Sequence, residues 1–153
     1  MDVRFVNPVL DSIINVLSTM ANMTPEPGAP SIKEDTHALG VVTGVIDFKG
    51  PKEHVSTAIS FSKHVALEIT ERMLRTRPND IDEIVEDLVG EISNMMAGGA
   101  KGKLEAEGYD FELTLPSVAT GEGHEVPHRI EGKTILLPFK TDAGEFFVEI
   151  RSN

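Results

Sequence analysis

Two polar side chains that could act on a phosphoryl group stand close together in the stretch GEISNMMAGG, residues 90–99. Glu91 and Asn94 are three residues apart, and this spacing places them on the same side of an α-helix. A carboxylate there can pair with a cation, and a neutral amide can donate and accept hydrogen bonds without repelling an anion. Because phosphoryl transfer depends mainly on alignment and charge neutralisation, such a pair could orient an attacking water molecule.

The helix that carries this pair has the strongest sequence signals in the chain. Asp80 with Glu83 three residues later is typical of a capping box, which predicts where the helix begins. Its predicted buried side comprises Ile81, Ile84, Val85, Leu88, Ile92, Met95 and Met96. The opposite side, called the polar ridge below, comprises Glu83, Asp87, Glu91, Asn94 and Gly98. We therefore expect Glu91 and Asn94 to point away from the core, and Gly98 to let a partner's backbone approach.

Two more helices and a hairpin are predicted in the first half of the chain. A first helix is expected to have Asn7 as its cap and Pro8 at its first position, and a Pro- and Gly-rich loop at 24–30 ends it. Strand-like runs over 40–48 and 54–61, the second with alternating residues, predict two strands joined by a short turn.

A second helix is expected to start at Ser62, and Pro78 is expected to stop it.

The C-terminal part of the chain is predicted to be mostly strands. Phe111, Leu113 and Leu115 alternate on one strand face, and Pro116 ends that strand. The runs KTILLPFK and EFFVEIRS predict a second hairpin, and Pro138 indicates that its strand lies at a sheet edge. The predicted fold class is α/β (α+β), a mostly antiparallel sheet with packed helices. Residues 1–153 are expected to form a single domain.

The two halves of the chain resemble each other weakly. SIINVL at 12–17 aligns with EISNMM at 91–96, and VIDFK at 45–49 aligns with LLPFK at 136–140. This repeat indicates two diverged copies of one helix-plus-hairpin unit. The first copy has Ser12 where the second has Glu91, so only the second copy keeps both polar groups.

These features together resemble the CheC, CheX and FliY family of chemotaxis phosphatases, and most closely the single-site CheX type. The residues that carry the resemblance are Glu91, Asn94, Gly98, Leu104, Gly108, Phe111, Leu113, Pro116 and Gly121. Asp87 stands at an additional polar position that often precedes the acid in this family.

The resemblance implies that this chain hydrolyses the aspartyl phosphate on a receiver domain of the CheY type. The receiver would supply the phosphorylated carboxylate, a magnesium ion and a lysine, so this chain is expected to hold no metal or other cofactor of its own. Asn94 would position the water, and Glu91 would pair with the receiver's lysine. Asp87 and Gly98 would contact the partner. The resemblance also implies a homodimer.

Composition and charge narrow the partners. A net charge of −11 argues against nucleic acid and against an anionic membrane, because both are bound mainly by clustered Lys and Arg. The N-terminus has neither a cationic start nor a continuous apolar run, which argues against a signal peptide and a membrane span. The absence of cysteine fits a reducing compartment and is allowed in any other, and we expect a cytoplasmic protein.

The sequence also contains a histidine pair with metal-like spacing and leaves one alternative function open. His124 and His128 have a metal-like spacing, but Pro127 lies between them, which favours a surface loop. The alternative function is a non-catalytic receiver-binding or flagellar-switch module that uses the same helix face. An enzyme would shorten the lifetime of the aspartyl phosphate at substoichiometric amounts, whereas a binder would not.

Overall fold

The computed structural model describes residues 3–152, which form three α-helices and one mixed-length sheet of eight strands. The helices are α1 (Val6–Ala21), α2 (Lys63–Leu74) and α3 (Glu83–Ala106). The strands are β1 (Glu26–Pro27), β2 (Ser31–Lys33), β3 (Val42–Lys49), β4 (His54–Phe61), β5 (Glu112–Leu113), β6 (Ser117–Thr120), β7 (Lys133–Thr141) and β8 (Gly144–Ser152).

The sheet is antiparallel throughout its described pairs. Its order is β1-β7-β8-β4-β3-β5, with β2 also paired to β7 and β6 also paired to β3. The two predicted hairpins, β3–β4 and β7–β8, are joined at the centre of the sheet by the pairing of β4 with β8. The predicted fold class, a mostly antiparallel α+β sheet with packed helices, is therefore confirmed.

One face of the sheet packs against the helices and holds the main core. Even-numbered residues of β3, such as Ile46 and Phe48, and odd-numbered residues of β4, such as Ile59 and Phe61, lie in this core with the buried sides of all three helices. The strands read as nearly continuous buried runs because the second face is also covered.

The second face is covered by residues 121–130, called the covering segment below. Val126 packs there against Ala38, Val45 and Ala58. His124 Nε2 lies 2.7 Å from the hydroxyl of Thr43, so polar contacts also hold the segment on the sheet.

Helix α3 lies close to the sheet and to α1 because glycines remove side chains at the contacts. A Cβ on Gly44 of β3 would overlap the hydroxyl of Ser93, and a Cβ on Gly99 would overlap the hydroxyl of Ser12 in α1. The Ser93 hydroxyl donates to the carbonyl of Val89, and the Ser12 hydroxyl donates to the carbonyl of Met96. These contacts fix the position of α3 relative to the sheet.

Helix starts differ from those predicted by the cap residues. Helix α1 begins at Val6 after a 3₁₀ turn over Val3–Phe5, so Asn7 lies inside the helix and caps nothing. Asp82, and not Asp80, caps α3, and its Oδ1 accepts a hydrogen bond from the backbone N–H of Val85.

Ser62 does precede α2, but Pro78 does not stop that helix. The helix ends at Leu74, because Arg75 has a left-handed backbone with φ of 62°. Pro78 lies further along, in the connection to α3.

Four further sequence predictions, on two side chains and two strands, are wrong. Ile84 is 50% exposed and does not belong to the buried side of α3. Leu115 is not a strand residue, because the predicted strand is split into β5 and β6 with Leu115 between them. Strand β7 is not an edge strand, because both β1 and β2 pair with it. Pro138 lies between these two paired segments, and its carbonyl accepts a hydrogen bond from the backbone N–H of Gly28. His128 is buried and does not lie on the surface.

Candidate functional site

The polar ridge of α3 is exposed along its whole length. Glu83, Asp87, Glu91, Asn94 and Gly98 all face solvent, whereas the opposite side of the helix is packed into the core. The helix continues through Gly98, Gly99 and Gly102 to Ala106, so these glycines do not end it. Glu91 and Asn94 are therefore presented from the middle of a long, packed helix.

Neither Glu91 nor Asn94 uses its side chain within the chain. Among residues 3–152, neither of them has a side-chain hydrogen bond or an ion pair. The carboxylate of Glu91 is thus available to a cation from another molecule, and the amide of Asn94 keeps its donor and its acceptor. Asp87, one turn before Glu91, adds a second unpaired acid to the same face.

Gly98 leaves open space one turn after Asn94. A Cβ at this position would contact no other atom within 4 Å. Fold packing therefore does not require glycine here, unlike at Gly44 and Gly99. The absent side chain leaves the surface beside Asn94 flat.

The connection between β5 and β6 borders the ridge on one side. A Cβ added to Gly90 would lie 3.7 Å from Pro116 Cγ and 3.6 Å from Val118 Cγ2. Pro116 is thus in reach of the helix turn that precedes Asn94. The sequence pattern predicts Leu115 on a strand face, and Pro116 belongs to the residues that carry the family resemblance, but neither indicates that this connection lies beside the helix. The Leu-Pro pair was a signal only for the end of the strand.

The corresponding face of α1 does not form a second copy of the site. Ser12, which aligns with Glu91, is buried against α3, and its hydroxyl lies 2.7 Å from the carbonyl of Met96. Asn15, which aligns with Asn94, is exposed. The carboxylate is thus missing from α1, and a buried contact between helices stands in its place.

The histidines of the covering segment serve the fold. His128 Nε2 lies 3.1 Å from Oε1 of Glu149, and because a carboxylate only accepts, this nitrogen carries the proton. The other ring nitrogen lies 2.6 Å from the hydroxyl of Ser56. Lys33 donates to the second oxygen of Glu149 at 2.8 Å. We call Lys33, Ser56, His128 and Glu149 the buried network.

The buried network holds a charged carboxylate under the covering segment. Burial raises the pKa of the Glu149 carboxyl, but the hydrogen bonds from His128 and Lys33 outweigh this effect, so the pKa lies below its ordinary value.

Within residues 3–152, no three His, Asp or Glu side chains form a group that could hold a metal ion. No helix in this part of the chain is long and apolar enough to cross a membrane.

The antiparallel α+β fold of this chain is the fold of the CheC-like proteins. Residues 42–140 match the family described as "Chemotaxis phosphatase CheX". The chain belongs to this CheX family and is therefore a phosphatase, a hydrolase.

Known relatives agree with this assignment over nearly the whole chain. A Thermotoga maritima protein described as "CheY-P phosphatase CheX" is 29% identical over 96% of this chain and 94% of its own length. The structure of the chemotaxis protein CheX from Vibrio vulnificus is 45% identical and has a TM-score of 0.90, with 97% of this chain and 99% of that one covered. A CheC-like protein from a Shewanella species is 44% identical with a TM-score of 0.92, with 100% and 99% covered.

A more distant structure shares the fold. It is the CheX–CheY–BeF3–Mg2+ complex from Borrelia burgdorferi, in which the matching chain is 23% identical, with a TM-score of 0.82 and 99% of both chains covered.

Proposed function

We propose that this chain hydrolyses the aspartyl phosphate of a CheY-like receiver domain, with Asn94 positioning the attacking water and Glu91 pairing with the receiver's lysine. One observation carries the proposal. Both side chains are exposed on one face of a packed helix, and neither has a partner within the chain.

For this hydrolysis the phosphatase needs mainly to position the attacking water. Water attacks phosphorus, the bond between phosphorus and the receiver's carboxylate oxygen breaks, and aspartate and inorganic phosphate are the products. The amide oxygen of Asn94 accepts a hydrogen bond from the water and aligns it with the bond that breaks. Because the receiver's magnesium ion and lysine neutralise the phosphoryl charge, no nucleophile or metal from this chain is needed.

The other ridge residues have supporting roles. Asp87 binds the partner through a second carboxylate beside Glu91. Gly98 lets the backbone of the partner approach α3, because the surface there is open.

The relatives support the partner and the substrate. The Thermotoga maritima protein is described as acting on phosphorylated CheY, and the Borrelia burgdorferi complex contains CheY with beryllofluoride and magnesium. We infer the same kind of partner for this chain. We also propose that residues 1–153 act as one domain in the cytoplasm.

A homodimer is proposed as the working state. An apolar groove of about 560 Å³ lies beside the sheet edge formed by β2, between that strand and the start of α1. Val3 and Ile32 line this groove and are largely exposed. A second copy of the chain would cover both side chains and the open edge of β2.

Phosphate release from phosphorylated receivers tests the function. A small amount of the wild-type chain is added to an excess of the host's CheY-like receivers, and Asn94→Ala and Asn15→Ala are measured beside it. We expect the wild type to turn over many receivers and Asn94→Ala to lose about 100-fold or more in kcat. Asn15→Ala is the matched control on α1 and should keep full activity.

The same assay separates an enzyme from a binding module. If the aspartyl phosphate of every receiver persists when the wild type is present at substoichiometric amounts, the catalytic proposal is wrong. If Asn94→Ala is fully active, Asn94 does not position the water.

A further inference from the structure

Leu115 is an exposed apolar side chain beside the polar ridge. It is 85% exposed, more than any other large apolar side chain among residues 3–152. Single apolar residues are common on protein surfaces, so exposure alone explains nothing. The position and the rigidity of Leu115 distinguish it from other exposed residues such as Leu74.

The backbone holds Leu115 firmly on both sides. Thr114 makes two hydrogen bonds to Asp47 of β3: its N–H donates to the Asp47 carbonyl at 3.1 Å, and its hydroxyl accepts from the Asp47 N–H at 3.0 Å. Pro116 follows, and its ring restricts the backbone. A side chain presented in this way loses little conformational entropy when another molecule covers it.

The connection that presents Leu115 lies next to the part of α3 that carries Asn94. Pro116, the neighbour of Leu115, lies in reach of Gly90, one turn before Asn94. A partner that places a phosphoryl group at Asn94 therefore also approaches the connection between β5 and β6.

A second exposed apolar side chain, Ile84, borders the polar ridge on its other flank, because Ile84 and Gly90 are six residues apart and point about 120° apart around the helix. Ile84 is seven residues before Glu91, which corresponds to about 20° of rotation and a rise of about 10.5 Å. It is 50% exposed, and Asp87 lies between it and Glu91. The polar ridge thus has one exposed aliphatic residue on one flank and one on the other flank, near its N-terminal end.

We propose that Leu115, assisted by Ile84, is an apolar anchor that binds the receiver domain and helps to select it. This inference rests on the function proposed above. The occupant is the phosphorylated receiver, because the anchor is continuous with the ridge that would face its phosphate, and because the unpaired acids Asp87 and Glu91 complement a site that holds a lysine and a magnesium ion. Leu115 packs on an apolar patch beside that site and excludes water around it.

Kinetics that separate KM from kcat test the anchor. The full chain and the host's phosphorylated CheY-like receiver are used, with phosphate release as the signal. We expect Leu115→Ala to raise KM about tenfold and to leave kcat unchanged, because a truncated anchor weakens binding but leaves Asn94 in place. Leu115→Met should restore most of the affinity, because it keeps the apolar volume. Ile84→Ala should raise KM by a smaller factor, about threefold.

Leu74→Ala is the matched control, because Leu74 is an exposed leucine at the end of α2 and is not part of the proposed anchor. The anchor is wrong if the wild type is active and Leu115→Ala has the same KM as Leu74→Ala. It is also wrong if Leu115→Ala lowers kcat at an unchanged KM. Failure of the wild type to act on any receiver would instead refute the proposed function.

Discussion

At the scale of single residues, the candidate site consists of side chains that have no partner within the described part of the chain. Glu91 and Asn94 have no partner within residues 3–152, whereas Ser12 of α1, the counterpart of Glu91, is buried in a contact between helices. A free carboxylate on a surface costs the fold nothing and can meet a cation from outside. A neutral amide beside it can approach a phosphoryl group, which a second carboxylate there would repel.

Reversing the charge of Glu91 tests its proposed pairing with the receiver. Glu91→Lys places like charges together and should raise KM for the phosphorylated receiver at least tenfold. Glu131→Lys changes the net charge equally at an exposed loop residue and is the control. Equal KM values for the two variants would remove Glu91 from the interface, and circular dichroism would show that both are folded.

At the scale of elements, two glycines allow α3 to pack closely against the sheet and against α1. Gly44 lets α3 lie on β3 next to Ser93, and Gly99 lets α1 approach at Ser12. The buried side of α3 then determines which residues face outward. The position of the ridge is thus set by contacts on the far side of the helix.

Gly44→Ala is expected to displace α3 or to destabilise the chain. The added Cβ would overlap the Ser93 hydroxyl and would lie 3.2 Å from Cγ1 of Val89, so the free energy of unfolding should fall by about 1–3 kcal/mol. Removing the hydroxyl makes room, so Ser93→Ala should recover part of this loss in the double variant. Urea unfolding of the four chains measures the coupling. Additive effects would show that the two residues do not compete for the same space.

At the scale of the whole molecule, the buried network connects four separate parts of the chain. Lys33 belongs to the edge strand β2, Glu149 and Ser56 to the central strands, and His128 to the covering segment. The network therefore ties the second face of the sheet together from its edge to its cover. A buried charge of this kind is costly to leave without its partners.

The stability of the chain should depend on pH through Glu149. Its pKa in the folded chain is below the ordinary 4.5, so its stabilisation is present above that value and is lost as the pH falls through the folded-state pKa. The substitution Glu149→Gln should lower the free energy of unfolding by about 3 kcal/mol at neutral pH.

The difference in unfolding free energy between wild type and Glu149→Gln should shrink on acidification from about pH 7 to about pH 3. Taking the difference removes the contributions of other carboxylates. A difference that stays constant over this range would contradict the role given to Glu149.

The proposed dimer is also a property of the whole molecule. Ile32→Glu puts a charge into the apolar groove beside β2 and should convert a dimer into a monomer. Light scattering after size-exclusion chromatography measures the mass. Leu74→Glu adds the same charge at an exposed residue elsewhere and should remain dimeric. A wild type that is monomeric at all concentrations would refute the dimer.

Local sequence signals predicted the hairpins, the existence of the helices and the ridge of α3 well. Strand alternation and helical periodicity arise from which side of an element is buried, and they are written directly in the order of apolar and polar residues. The pair Glu91 and Asn94 could be proposed as a site for the same reason. The cap residues were less informative: Asp80 and Asp82 both suit a helix start, and only the folded chain shows that Asp82 is used.

Only the tertiary structure determined which residues that are distant in sequence lie close together in space. Ile84 is apolar and was therefore assigned to the buried side of α3, but it lies only about 20° of rotation from Glu91 and is 50% exposed. Leu115 fits a strand pattern that the chain interrupts. His128 was expected at the surface because nothing in its neighbourhood along the chain reveals Glu149 and Ser56, which come from distant strands. Periodicity describes one element at a time, whereas burial depends on its neighbours in space. The sequence could therefore name the two side chains of the ridge, and only the fold could show the surface beside them.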